Sequence, residues 1–431
     1  MKDSNHQTRT PGRTLWRLAG IRCLERGQDR GAGRLPKGNK SITTFWLPRL
    51  LVAVLPVVAP AAWAEKFTIA VIPDTQTYTI YDAYMPGFTR QMQYIATNKG
   101  PRNIVFVSHL GDVVNDGGRI PAEWPRALGA MDLLRDSGIP FGVAIGNHDY
   151  DNDSAPVNGT TYWSQYFGPD SPYFQGKSWY HGYSNNVTDS YQIFHAAGRD
   201  FLHLVLELEP SADSLQWANQ VIQAHPGMPT IVSIHQYLTY AGNRSGNNYR
   251  GGSTGLQVWN NLISPNTQIF MVLCGHSFSG SEGEVNHTTL DAAGKPVYEE
   301  LTDYQGTVDG WMRLMEFDSA LQQINFTTYS PLLDAWATDA TSQFQVNFDW
   351  NNRFGPAPSG MVSLDSPLLS NGCFSVLLVG AAGQKCDLLA STNLADWVTV
   401  ATLTNTNGSA CYRETSPAGS PRRYYRARLL Q

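Results

Sequence analysis

The sequence predicts an α/β fold of two sheets flanked by helices, followed by a small all-β sandwich. Three observations carry that reading. From Glu65 to about Trp350, short apolar runs alternate with segments of helical spacing. After Ser281 the alternation gives way to hairpin-like stretches. A polar, Pro/Gly-rich segment, NNRFGPAPSG (351–360), then precedes a tail built only of strand-length pieces.

The elements run in order along the chain. FTIAVI (67–72) reads as a buried strand, FTRQMQYIATN (88–98) as a helix and NIVFVSHL (103–110) as a second strand. AEWPRALGAMDLLRDSG (122–138) is helical, with Pro early and Gly at its end, and PFGVAIG (140–146) is a third strand. This β-α-β-α-β order calls for parallel strands joined by crossover helices. Further strands are expected at DFLHLVLEL (200–208), PTIVSIH (229–235) and QIFMVLCG (268–275), with a helix at SLQWANQVIQAH (214–225). VNHTTLDAAGKPVYEEL, WMRLMEFD and INFTTYS supply the later hairpin-like segments. In the tail, FSVLLVG, KCDLLAST, WVTVATLT, SACYRE and RRYYRARLL are short strands separated by turn residues, the pattern of a small β-sandwich.

The N-terminus has a different character. Leu50–Ala64 is an apolar run, too short and too broken by Pro56 and Pro60 for a membrane span, and it ends in Ala62-Trp63-Ala64. A basic region precedes it, with 11 Lys/Arg against 3 Asp/Glu. Together these read as a secretory signal cleaved after about Ala64, or an anchor if left uncleaved. The expected organisation is therefore a signal peptide (1–64), an α/β domain (65–350), a linker (351–360) and a β-sandwich module (361–431), in a secreted or periplasmic protein without a membrane span. Without the leader, 20 basic and 33 acidic residues remain, a net charge of −13 against −5 for the whole chain. That balance offers no bulk attraction for nucleic acid or anionic lipid and is compatible with a cation site. Of the cysteines beyond the leader, Cys373, Cys386 and Cys411 lie close together in sequence. One bridge among them, or free thiols, both fit an exported chain.

The strand exits carry the chemistry. The first runs into Pro73-Asp74-Thr75-Gln76, the second into Gly111-Asp112-Val113-Val114-Asn115-Asp116, and the third into Gly146-Asn147-His148-Asp149. Two later strands end in His235 and in Gly275-His276. Any one of these is an ordinary turn or a hydrogen-bonded histidine. Five in succession converge, because the carboxyl ends of strands in α/β sheets form the ligand crevice. Carboxylate, amide oxygen and imidazole are ligands for divalent ions. A shared carboxylate holds two such ions roughly 3.5–4 Å apart, where they bind phosphoryl oxygens and activate water. A histidine beside them can protonate the leaving oxygen.

In these blocks and their order the sequence resembles the calcineurin-like metallophosphoesterase superfamily, whose motifs run D-x-H, GD-x-x-D, GNH-D/E, a lone His and GH-x-H. The resemblance covers about Phe67–Pro331. It implies a two-sheet α/β sandwich, with Asp74 and Gln76 on the first metal, Asp112 bridging, Asn147, His235 and His276 on the second, and His148 as the catalytic histidine. Asn115 and Asp149 would support these groups. Three positions depart from the pattern: Gln76 stands for His, Asn115 for Asp, and Phe278 for the second His of GH-x-H. Phe278 removes a first-metal ligand, with Glu282, Glu284 and His287 nearby in sequence as replacements. The implied activity is metal-dependent hydrolysis of a small phosphodiester or phosphomonoester, with one or two ions of Mn, Fe, Zn or Mg, and Mn or Mg at the weaker site. The alternative is a non-catalytic binding or surface protein on the same scaffold. Substrate selection would lie in the aromatic and amide-rich loops 77–87, 150–186 and 236–252, while the C-terminal module would contact a cell surface or polymer.

Overall fold

The computed structural model describes residues 66–355 continuously and, beyond them, 363–370, 373–379, 384–392, 396–405, 409–415 and 423–430. The expected signal peptide lies outside the described residues. In chain order the elements begin with β1 (Lys66–Ile72), α1 (Gln76–Thr79), α2 (Pro86–Asn98), β2 (Ile104–His109), α3 (Glu123–Ser137), β3 (Phe141–Val143) and α4 (Thr161–Phe167). Next come β4 (Tyr180–Tyr183), β5 (Ser190–Ala196), β6 (Arg199–Leu206), α5 (Ala212–Ala224), β7 (Thr230–Ile234), α6 (Gly255–Val258) and β8 (Ile269–Cys274). Two hairpins, β9 (Gly283–Leu290) with β10 (Pro296–Asp303) and β11 (Met312–Asp318) with β12 (Gln323–Ser330), precede β13 (Ala335–Ala337), β14 (Gln343–Asn347) and α7 (Trp350–Phe354).

These strands form two sheets. One has the order β13-β12-β11-β1-β2-β3, with β14 on β12; the other runs β4-β5-β6-β7-β8-β10-β9. β1, β2 and β3 pair in parallel, as do β6, β7, β8 and β10. Alternation along β1 shows how the layers form. Phe67, Ile69 and Val71 face a core shared with Phe201, Ile231 and Phe270 of the second sheet. Ala70 and Ile72 face the opposite way, into a core with α2 and α3. The order is helices, sheet, sheet, helices. Rings cross the joint: Phe67 meets Phe201 at 5.4 Å between centroids, and Phe106 stacks on Phe194 at 4.5 Å. Trp350, at the border of the segment expected as a linker, packs against Phe201 and Phe270.

The helices sit where their sequences place them. Pro86 opens α2, where its missing N–H leaves no bond unmade, and Phe88, Gln91, Met92 and Ile95 form its buried stripe. Gly138 ends α3 in a left-handed cap at φ 68°. Ser211 caps α5 by accepting from the Ser214 N–H, and Leu215, Ala218 and Ile222 face the second sheet. The 150–186 stretch, read as loop, contains α4 and β4; β5 was also unanticipated. These pieces are short, and their Tyr, Ser, Gln and His side chains interrupt the apolar pattern.

Beyond α7, β15 (Ser363–Ser370), β16 (Cys373–Val379), β17 (Lys385–Ser391), β18 (Val398–Thr404), β19 (Ser409–Thr415) and β20 (Tyr424–Leu430) make two antiparallel three-stranded sheets. Val376, Leu378, Cys386 and Leu388 are buried between them, giving the expected β-sandwich. Cys274, Cys386 and Cys411 are free thiols. Among the described residues no helix is long and apolar enough to cross a membrane.

Candidate metal centre

Parallel register brings the strand ends level. Ile72 pairs with His109 and His109 with Val143 on the first sheet, so Asp74, Asp112 and Asn147 leave from one edge. Leu206 pairs with Ile234, and Ser233 with Leu273, on the second, so His235 and His276 leave together. The two sets meet across the joint: the His276 N–H donates to Asp74 Oδ2 at 3.0 Å.

On one side of the cleft, lone pairs converge. His235 Nδ1 donates to the Leu110 carbonyl at 3.0 Å, which fixes the tautomer and turns the other nitrogen inward. That Nε2 lies 3.2 Å from Asn147 Oδ1, 3.3 Å from Asp112 Oδ2 and 3.2 Å from His276 Nδ1. A carboxylate, an amide oxygen and two imidazole nitrogens at such distances call for a shared proton or a metal ion among them. Asp112, His235 and His276 offer ligand atoms all within 4.8 Å of one another. Burial would depress His235, but the Asp112 and Asp74 carboxylates push it up to about 10. Burial would raise Asp112, but the His235 and His148 imidazoles hold it below the usual carboxylate range. Burial, with the charge of His235, lowers His276 to about 3.

The backbone is shaped around these groups. A Cβ on Gly146 would lie 2.1 Å from Asp112 Oδ1, and one on Gly275 2.1 Å from Asp74 Oδ1. Only glycine admits such approach. Asp112 (φ 48°) and His276 (φ 71°) are themselves in the left-handed region, a strain on the order of 1–3 kcal/mol each that collects at functional sites. Asp149, fully buried, accepts from the Gly146 N–H at 2.9 Å and the Val114 N–H at 3.1 Å, tying the second and third strand exits together. The His148 N–H donates to Asp112 Oδ1 at 2.9 Å. Its ring is partly exposed, and Nδ1 donates to the backbone carbonyl of Asn115 at 2.6 Å, so Asn115 supports His148 through its main chain and not its side chain. The Asp153 carboxylate lies 3.9 Å from the same nitrogen.

The other side of the cleft holds Asp74 and Gln76. Asp74 is 2% exposed, yet its Oδ1 has no hydrogen-bond partner, and neither has Gln76 Oε1, 7% exposed overall. Burial and the neighbouring Asp303 carboxylate push Asp74 well above the usual range. Unsatisfied buried oxygens beside a carboxylate fit a cation. Phe278 is 37% exposed and presents no ligand. The three sequence neighbours do not replace it. The Glu284 side chain is buried against Arg313, Tyr304, Thr328 and Ser342, while Glu282 and His287 are exposed.

Sequence reasoning missed Asp303 and Gln305. Asp303 is fully buried and accepts from the Gln305 N–H at 2.9 Å and from Gln305 Nε2 at 2.7 Å. Gln305 Nε2 also reaches Asp74 Oδ2 at 3.4 Å, and Gln76 Nε2 donates to Gln305 Oε1. The signal was present. DYQ (303–305) repeats the Asp-x-Gln of DTQ (74–76) at a strand exit. It was hidden because β10 closes a hairpin and reads as antiparallel, whereas it also lies parallel to β8 and delivers its carboxyl end to the cleft.

Residues 67–279 match the family model of calcineurin-like phosphoesterases. A curated relative, the uncharacterized protein YvnB of Bacillus subtilis (strain 168), is 33% identical over 273 residues, which cover 62% of this chain; the chain spans only 20% of that relative's length. Among solved structures, a dimetal phosphatase from Danio rerio is 13% identical with a TM-score of 0.40, covering 65% of this chain and 99% of that one. GAP50, the anchor in the inner membrane complex of Plasmodium, is 12% identical with a TM-score of 0.39, covering 66% and 89%.

Proposed function

We propose, from the match of residues 67–279 to the calcineurin-like phosphoesterase family model, that the protein is an exported, metal-dependent hydrolase of small phosphodiesters or phosphomonoesters. The observation that carries the reading is the meeting of Asp112, Asn147, His235 and His276 around one point beside His148. In it, Asp112, Asn147, His235 and His276 hold one divalent ion, and Asp74, Gln76 and Asp112 contribute to a second. Such ions bind the phosphoryl oxygens and activate water for attack.

The chain's own residues do the rest. His148 keeps Nδ1–H on the Asn115 carbonyl, which leaves Nε2 to hold and pass a proton to the leaving oxygen. Asp149 keeps the Gly146 turn fixed beneath it. Tyr249, exposed at the mouth with its ring 6.4 Å from that of His276, lies where a substrate's organic part would rest. The reading also takes 1–64 as a cleaved leader, 65–350 as the catalytic region, 351–360 as a linker and 361–431 as a module for surface or polymer contact. A panel of phosphomonoesters and phosphodiesters, run with Mn²⁺, Mg²⁺, Zn²⁺ and Fe²⁺ alongside metal analysis, tests it. Turnover should require the ion. A protein that holds no metal and cleaves none of the panel would overturn the proposal in favour of a binding role.

A further inference from the structure

The Asp74 side of the cleft has Phe278 where the family pattern has a histidine ligand, and the structure points to a replacement. β10 ends in Asp303, level with the other exits through the pairing of Leu301 with Cys274. The Asp303 carboxylate is fully buried and shares one amide nitrogen, Gln305 Nε2, with the Asp74 carboxylate, at 2.7 and 3.4 Å. Besides that amide, the two buried carboxylates accept, among the described residues, only from two backbone N–H groups, those of His276 and Gln305. The nearest side-chain cation, His235, stands 4.0 Å from Asp74, so their charge is poorly compensated. Around them, Asp74 Oδ1 and Gln76 Oε1 are buried without partners. The Arg, Lys and His side chains that pair with buried acids elsewhere in the chain, as Arg313 does with Glu284 and Arg244 with Glu299, have no counterpart on Asp303 among the described contacts.

We propose that Asp303 is a ligand of the first metal, taking the role left open by Phe278, and that Gln305 positions it. The site is then built from Asp74, Gln76, Asp112 and Asp303, all oxygen donors, with Gln305 bridging the Gln76 amide and the Asp303 carboxylate. An all-oxygen set selects a hard divalent ion, Mn²⁺ or Mg²⁺, over Zn²⁺. The neighbouring set, with two imidazoles, takes borderline ions as well. The two ions of the cleft thus differ in preference, and the selectivity of the first is set by a strand that lies beyond the matched family region. This rests on the metal-dependent reading given above.

The test is calorimetric titration of the metal-free full chain with Mn²⁺, read as number of sites and affinity and not as turnover. Wild type should show two sites. Asp303→Asn, close to isosteric, should keep the tighter site and weaken the other by more than the about 10–100-fold expected on losing a group which only orients a ligand. Gln305→Ala, which keeps every carboxylate, should weaken that same site within the about 10–100-fold range. Adding Phe278→His to Asp303→Asn should recover the second site, a rescue that a purely structural role for Asp303 would not allow. A wild type with one site, or an Asp303→Asn isotherm matching wild type, overturns the inference and leaves the functional proposal standing. Should Asp303→Asn not fold, an unchanged isotherm for Gln305→Ala overturns it. A wild type that binds none of Mn²⁺, Mg²⁺, Zn²⁺ and Fe²⁺ and cleaves none of the phosphoester panel overturns the functional proposal itself.

Discussion

The two sides of the cleft are built on different terms. On the Asp112 side, His235 Nε2, Asn147 Oδ1 and His276 Nδ1 crowd within 3.3 Å contacts, and His235 is locked from behind by its Nδ1 bond to the Leu110 carbonyl. On the Asp74 side, two carboxylates and two glutamine amides share few donors, and two buried oxygens have none. The first arrangement mixes nitrogen and oxygen and is held by partners outside the cleft. The second is oxygen alone, and one of its carboxylates comes from a strand far along the chain. With Asp303 as the proposed ligand, such a site would keep half of its ligand set while the other half is assembled from different residues, provided the strands that carry both end at the same edge.

The largest effect expected from breaking this contrast comes from the tight side. Asp112→Ala and His235→Ala should each lose activity to background and release the more tightly held ion, seen by metal analysis of the purified variants. Wild-type turnover in either, at confirmed metal loading, would mean that the Asp112 side is not the working half. His148→Ala should come next. It should retain metal and lose about 10²–10⁴-fold in rate, the usual share of a general acid. Metal loss in that variant would turn His148 into a ligand and redraw the boundary between the two sides.

Asp149→Ala tests rigidity instead of chemistry. It strands the Gly146 and Val114 N–H groups, and each buried donor left unpaired costs about 1–3 kcal/mol, so thermal melting should shift down clearly while any residual activity keeps its metal dependence. The smallest effect is expected at Asn115. Its main-chain carbonyl holds His148, so Asn115→Ala should stay within a few-fold of wild type. A loss as large as that of His148→Ala would show that the side-chain amide matters after all.

Much of this was legible from residues alone because the α/β rule ties chemistry to strand ends. FTIAVI, NIVFVSHL and the apolar run before Cys274 announce buried parallel strands, and the residues just past each strand land in the cleft. Gly275 and Gly146 read only as turn residues; that a Cβ there would collide with Asp74 and Asp112 needs coordinates. Asp303 escaped for a topological reason. A hairpin tells which strands are neighbours, but not that the second of the pair inserts beside β8 and so reverses the expected direction of its exit. His148 and Asn115 were both legible, but not the atom that joins them: a motif names the residue, and the bond is made by its backbone carbonyl.

The proposed ligands are divided between the sheets: Asp74, Asp112 and Asn147 come after strands of one, and His235, His276 and Asp303 belong to the strand ends of the other. Elsewhere the joint between these layers is mainly aromatic and aliphatic, with the Ser108, Ser233 and His203 side chains hydrogen-bonded across it. A cation gripped from both sides acts as a rivet through two plates. Its removal would leave the packed interior intact and take away one tie between the layers. A chelator should therefore lower the unfolding temperature, and returning ion at about a hundred times its dissociation constant should restore about 2.7 kcal/mol. The proposed ions would then also set how tightly the molecule is bolted together.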